Sequence, residues 1–208
     1  MLRRILPLLI LIASPAWAGP LRIVAMGDSL TDGFGVAKDD AYPAVLDRKL
    51  EGAGYPDAEV VNAGLSGSTT ASAEGRLKWH LKNKPDILIL ALGANDGLRG
   101  MKLSETRKNL SRVIAMAKEK GVEVLLAGMR VPPNYGKEFT EGFEALYRDL
   151  AREHSVALVP FLLEGIGGEK EMNLDDGIHP NERGHQKMAE TILPHLLKLV
   201  KKLDPKAA

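Results

Sequence analysis

Four short polar clusters interrupt this chain, and together they hold the side chains needed to break an acyl bond. They are AMGDSLTDGFG at residues 25–35, NAGLSGST at 62–69, LGAND at 92–96 and DDGIHPN at 175–181. Acyl cleavage by serine needs a nucleophile, a base to take its proton, a carboxylate to orient that base, and donors for the developing oxyanion. Ser29 is the candidate nucleophile, since it follows an apolar run and opens a turn into a helix whose first N–H groups point outward. The competing reading is an ordinary turn serine, because Gly, Asp and Ser are the residues turns require in any case.

The base must come from His80, His154, His179, His185 or His195. Four of these lie in helical stretches among Lys, Glu and Arg, where solvated or partly buried surface histidines are expected. His179 differs, because it sits in a loop punctuated by Gly177 and Pro180. Asp176, three residues earlier, can accept its Nδ1–H and leave Nε2 facing the serine; Asp175 is the rival orienter. For the oxyanion, Gly64 has no Cβ to keep a substrate from its N–H. Asn95 offers a neutral amide, and the Ser29 N–H makes a third donor. Each alone also reads as a turn former after a strand.

The elements that must bring these clusters together are legible as an alternation. Short apolar runs occur at 21–26, 58–62, 86–92, 122–128 and 156–160, without the polar alternation of a half-exposed strand. Between them lie stretches with helical spacing, such as Tyr42, Val45, Leu46 and Leu50, or Leu110, Val113, Ile114 and Ala117, or Phe143, Leu146, Tyr147 and Leu150. A last helix carries Met188, Ile192, Leu196, Leu199 and Leu203, with a kink expected at Pro194. Five strands separated by helices predict an α/β fold: a five-stranded parallel sheet covered on both faces. Ligands of such sheets sit beyond the carboxyl ends of the strands, at the switch in strand order. Three of the four clusters directly follow a predicted strand, and the fourth follows the fifth strand after a loop.

Residues 1–18 read as an export leader: Arg3 and Arg4, an apolar core from Ile5 to Ala13, Pro15, and Ala16-Trp17-Ala18 before the cut. The apolar core is far short of the ~20 residues a membrane span needs. The mature chain is therefore expected to be a single domain at 19–208, periplasmic or secreted, with no stable membrane insertion. Removing the leader leaves 26 basic side chains against 27 acidic ones, which gives no electrostatic reason to expect nucleic acid as a partner. The chain has no cysteine, so disulfides, thiolate metal sites and a cysteine nucleophile are all excluded. A core of this size can hold one domain together unaided.

Gly27-Asp28-Ser29-Leu30, the Gly64 turn, Gly93-Ala94-Asn95-Asp96 and Asp176-Gly177-Ile178-His179 resemble, in order, the four signature blocks of the SGNH (GDSL) hydrolases. NDGLRG at 95–100, PNYG at 133–136 and DDGIHPN are similar to the bacterial thioesterase I / lysophospholipase L1 / arylesterase subgroup, and the resemblance spans the mature chain. It implies a flavodoxin-like, three-layer α/β/α sandwich. It also implies Ser29 as nucleophile, His179 as base oriented by Asp176, and Ser29, Gly64 and Asn95 as the oxyanion hole. Ala94 departs from the pattern, a second glycine being common there, and a changed loop conformation is the most this should cause.

The resulting expectation is a two-step serine esterase with an acyl-enzyme intermediate, acting on small-molecule acyl esters or thioesters as a monomer, with no metal and no cofactor. The base must start neutral, so activity should be lost in acid, below ~6.5 for an ordinary histidine. DGLRGMKL at 96–103 is expected to be a flexible loop, its glycines flanking Leu98 and Arg99, with Leu98 and Met101 lining an acyl groove. Pro132–Gly136 is expected to form another rim. Three alternatives stand beside this reading. A carbohydrate O-acetyl esterase would want aromatic sugar platforms, yet only one Trp remains after the leader. A non-enzymatic periplasmic lipid or nucleotide carrier would leave Asn95 and the Asp176/His179 pair unexplained. A metal hydrolase would use Asp28, Asp32, Asp175 and His179.

Overall fold

The computed structural model describes residues 20–204, so the expected leader at 1–18 lies outside the described residues. The five strands are β1 (Arg22–Gly27), β2 (Glu59–Gly64), β3 (Ile87–Ala91), β4 (Glu123–Ala127) and β5 (Ala157–Val159). They form one sheet in the order β2-β1-β3-β4-β5, every pair parallel. The helices are α1 (Ser29–Asp32), α2 (Tyr42–Gly52), α3 (Ala73–His80), α4 (Ala94–Leu98), α5 (Leu103–Glu119), α6 (Lys137–His154) and α7 (Glu182–Leu203).

Strand order dictates which face each helix covers. The chain steps one way from β1 to β2, then back across β1 to β3, and onward to β4 and β5. Right-handed crossovers therefore put α2 on one face and α3, α5 and α6 on the other. In agreement, α2 packs against α7, whereas α3 packs on α5 and α5 on α6. This is the expected three-layer α/β/α sandwich. β1 stands where the direction of winding reverses, and Ser29 lies just past its end.

Apolar burial follows from the layering. Ile23 to Met26 on β1, all of β3 and Val124 to Ala127 on β4 are sealed from solvent on both sides. The edge strands differ from the fully buried expectation. β2 exposes Glu59 and Asn62, and β5 is only three residues long and half-buried, because an edge strand has a neighbour on one side only. α7, the expected last helix, runs 22 residues with Pro194 inside it and on its exposed side. Among the described residues no helix is long and apolar enough to cross a membrane.

Candidate active site

Ser29 is the first residue of α1, and its position is set by its neighbours on either side. A Cβ on Gly27 would strike Thr31 and the Ala91 carbonyl, so only glycine allows this approach of β1 to α1. The buried Asp28 caps the helix, its Oδ1 accepting the Leu30 N–H at 3.1 Å. Burial pushes the Asp28 carboxyl up to about 6, although the Leu30 N–H, the Asn95 amide and the Arg76 charge pull it down. α1 stops after four residues at Gly33, whose φ of 86° suits the left-handed turn.

His179 reaches Ser29 from 150 residues away. Its Nε2 lies 3.0 Å from Ser29 Oγ and its Nδ1 2.6 Å from Asp176 Oδ2. With a carboxylate at Nδ1, the proton belongs there, and Nε2 accepts from the serine hydroxyl. Asp176 also takes the N–H groups of Ile178 and His179 on its Oδ1, both at 3.0 Å. The His179 bond, with those two amides, holds its carboxyl down at about 2. Asp175 is exposed and takes no part. The loop is braced from below: Leu174 N–H donates to the His179 carbonyl and Asn173 bridges Pro180. The buried Asn173 amide donates to the carbonyls of Ile166 and Glu169, and Asn181 caps α7 at Gly184. The Phe34 ring closes over the imidazole, with centroids 4.5 Å apart.

Asn95 stands on α4, entered through Gly93 at φ 119°, where a side chain would run into the Tyr147 hydroxyl. Its amide donates one hydrogen to the Ser68 carbonyl at 3.1 Å. The next residue, Asp96, is fully buried and accepts from Thr70 N–H at 2.9 Å, from the Thr70 hydroxyl and from Thr106. These bonds lock the turn after β2 to α4. Asp96 and Thr70 are supports that motif reading passed over, since a buried aspartate has no mark in sequence.

Gly64 is not where the motif reading expected. Its N–H already donates to Asn62 Oδ1 at 2.9 Å, and a Cβ there would collide with the backbone of Thr31 and Asp32. It is a close-packing glycine between β2 and α1. The neighbouring Gly67, at φ 76° in the turn that ends on Ser68, has an N–H without a partner among the described residues. The Ser29 N–H is likewise unpartnered. Gly67 was legible only as one of two glycines in NAGLSGST, and which one had a free amide depended on the packing of α1.

Two further expectations change. The 96–103 segment is not a glycine-hinged loop: Asp96 to Leu98 are helical, and Gly97 is buried, with Val131 and Phe143 filling the space a side chain would need. Leu98 is exposed at the rim, its carbonyl tied to the Tyr135 hydroxyl at 2.8 Å, while the half-buried Met101 bonds through its N–H to the Asp96 carbonyl. His185 is no surface histidine. It is 1% exposed, its Nδ1 accepts the Tyr42 N–H at 3.2 Å, and burial depresses it to about 4. A second serine–histidine pair, Ser111 and His154 at 2.8 Å, lacks an orienting carboxylate, since Glu153 meets the same Nε2 that Ser111 does.

Among the described residues five large apolar side chains are exposed: Phe34 (49%), Leu65 (56%), Leu98 (39%), Ile178 (52%) and Trp79 (60%). The first four lie within or just after the four polar clusters, Leu98 at the end of α4, so each cluster carries one exposed apolar side chain. No group of three or more residues able to hold a metal ion occurs among the described residues.

Comparison with known proteins gives the family and a matching fold. Residues 25–187 match the GDSL-like lipase/acylhydrolase family. The chain is 39% identical to esterase TesA of Pseudomonas aeruginosa over 92% of its length and 94% of that protein's. It is 36% identical to thioesterase 1/protease 1/lysophospholipase L1 of Escherichia coli, covering 86% of this chain and 84% of the relative. A crystal structure of TesA superposes with a TM-score of 0.82 at 38% identity, over 86% of this chain and 99% of that one.

Proposed function

The chain belongs to the GDSL-like lipase/acylhydrolase family and is a carboxylic ester hydrolase; on that premise we propose that Ser29, His179 and Asp176 are its catalytic triad. The observation that carries this reading is the relay from Asp176 through His179 to Ser29, at 2.6 and 3.0 Å. His179 removes the Ser29 proton as the hydroxyl attacks the acyl carbonyl, and returns it to the departing alcohol or thiol. Water then cleaves the acyl-enzyme by the same route. Asp176 stays ionised throughout, since its carboxyl sits at about 2. The oxyanion is received by the N–H of Ser29, the N–H of Gly67 and the second amide hydrogen of Asn95. Gly67 replaces Gly64 in this role because the Gly64 amide is already bonded.

The substrates are esters and thioesters of a single acyl chain. The apolar ring of Phe34, Leu65, Leu98 and Ile178 supports this, and so does the name of the Escherichia coli relative, which carries thioester and lysophospholipid cleavage. Residues 1–18 act as the export leader, so the mature 19–208 domain works in the periplasm or outside the cell, as a monomer without cofactor.

Two measurements test this. An organophosphonate ester should add once, at Ser29, and not to a Ser29→Ala variant; an unmodified protein overturns the triad and favours a carrier. Comparing p-nitrophenyl octanoate with the acetate should give the larger kcat/KM for octanoate. A preference for acetate would instead favour an O-acetyl esterase.

A further inference from the structure

Beneath Ser29 lies a charged group that the triad and oxyanion hole do not use. Arg76, on the inward side of α3, sends one guanidinium nitrogen to two main-chain carbonyls. Nη2 donates to Gly27 at 2.8 Å and, in a shorter bond, to Ala63. These carbonyls lie at the carboxyl ends of β1 and β2, one residue out of register with each other. Gly27 leads into the nucleophile turn and Ala63 into the turn that carries Gly67 and Ser68. Strand pairing alone ends there, with Leu65 N–H donating to the Gly27 carbonyl as the last rung. Arg76 therefore adds a cross-link where the ladder stops and the reactive turns begin.

The same side chain answers a charge. Asp28 Oδ2 and Arg76 Nη1 are both buried without a hydrogen-bond partner among the described residues. Each feels the other's charge, which favours the ionised form of both. An unopposed carboxylate next to Ser29 would repel the oxyanion formed there and would draw on the Asn95 amide that should receive it.

We propose that Arg76 is a positioning residue of the reaction: it fixes the spacing between the Ser29 turn and the Gly67 turn through the Gly27 and Ala63 carbonyls, and it offsets the buried charge of Asp28 beside the oxyanion. It touches no reacting atom. Its contribution is realised in the transition state, where donor spacing and local charge matter most, and little in ground-state binding on the apolar rim.

This rests on Ser29 being the nucleophile, which phosphonate labelling of the parent enzyme tests independently. The experiment compares the parent with Arg76→Met, Asp28→Asn and the double variant, recording kcat, KM and thermal midpoint on p-nitrophenyl octanoate. Arg76→Met should lower kcat by about tenfold to a hundredfold, the cost of small misplacement at a reacting centre, while KM stays within about threefold. The double variant should recover at least about threefold of that loss, because the orphaned carboxylate is gone and its amide replacement keeps the helix cap. A kcat for folded Arg76→Met within about twofold of the parent overturns the proposal, as does a double variant no faster than the single one. Should Arg76→Met not fold, Arg76→Gln retains a donor and loses the charge, and it must meet the same two criteria.

Discussion

At the scale of single residues, the proposed site divides into groups that would react and groups that hold them. Asp176→Asn preserves the shape of the loop but removes the charge facing His179 Nδ1, so kcat should fall about 10³–10⁴-fold with KM little changed. Asn95→Ala removes one of the proposed oxyanion donors and also frees the Ser68 carbonyl it holds. Its expected cost is about 10²–10³ in kcat, measured on the same ester. The two glycines of NAGLSGST should separate cleanly. Gly64→Ala drives a methyl into the backbone of Thr31 and Asp32, so its thermal midpoint should drop, whereas Gly67→Ala meets open space and pays only for its positive φ. That Ser29, His179 and Asp176 could meet was legible in the sequence, because turn chemistry and residue type single them out, and the structure brings them together. Gly67, Arg76 and Asp96 were not, because what distinguishes them is a free amide, a pair of carbonyls and a buried carboxylate, each defined by neighbours distant in sequence.

At the scale of elements, two buried titratable groups near helix starts have opposite pH dependence. His185 on α7 accepts the Tyr42 N–H at the start of α2 and is depressed to about 4 against 6.5 when unfolded. Its contribution is complete above pH 6.5 and is lost as pH falls toward 4, because the unfolded chain takes up a proton the folded one refuses. Asp28, at the start of α1, is raised to about 6 against 3.8. Its burial penalty is complete above pH 6 and is relieved as pH falls toward 3.8. Each amounts to about 3 kcal/mol, so the two largely cancel between pH 4 and 6.5. Single variants should uncover them. Asp28→Asn should lose stability on acidification through that window, and His185→Asn, which can still accept the Tyr42 N–H, should gain it. Urea unfolding at both ends of the window checks the signs. The strand and helix pattern followed apolar periodicity except in α4, expected as a loop, and at the edges, where β2 and β5 are half-exposed because the run of apolar residues does not reveal strand order.

At the scale of the whole molecule, the apolar ring and the reactive centre share one edge of the sheet because every loop beyond the carboxyl ends of parallel strands opens there. Phe34, Leu65, Leu98 and Ile178 come from four separate segments, so no single segment defines the proposed acyl surface. Replacing Phe34 and Leu98 together by Ser should lower kcat/KM for octanoate at least about tenfold relative to acetate, since removing contact with several methylenes costs ~0.8 kcal/mol for each one no longer buried. Equal losses on both esters would mean that Phe34 acts on His179 alone.

The sequence by itself determined the class of fold and the candidates for the proposed reaction, because apolar periodicity dictates which segments become strands and helices, and because few residue types can serve as nucleophile, base or orienting carboxylate. Tertiary structure alone decided which amides remained free, which glycine is a packing contact, which histidine is buried and which arginine reaches under the nucleophile. Those outcomes depend on strand order and on which side chains meet across the sheet, and local sequence carries no record of either.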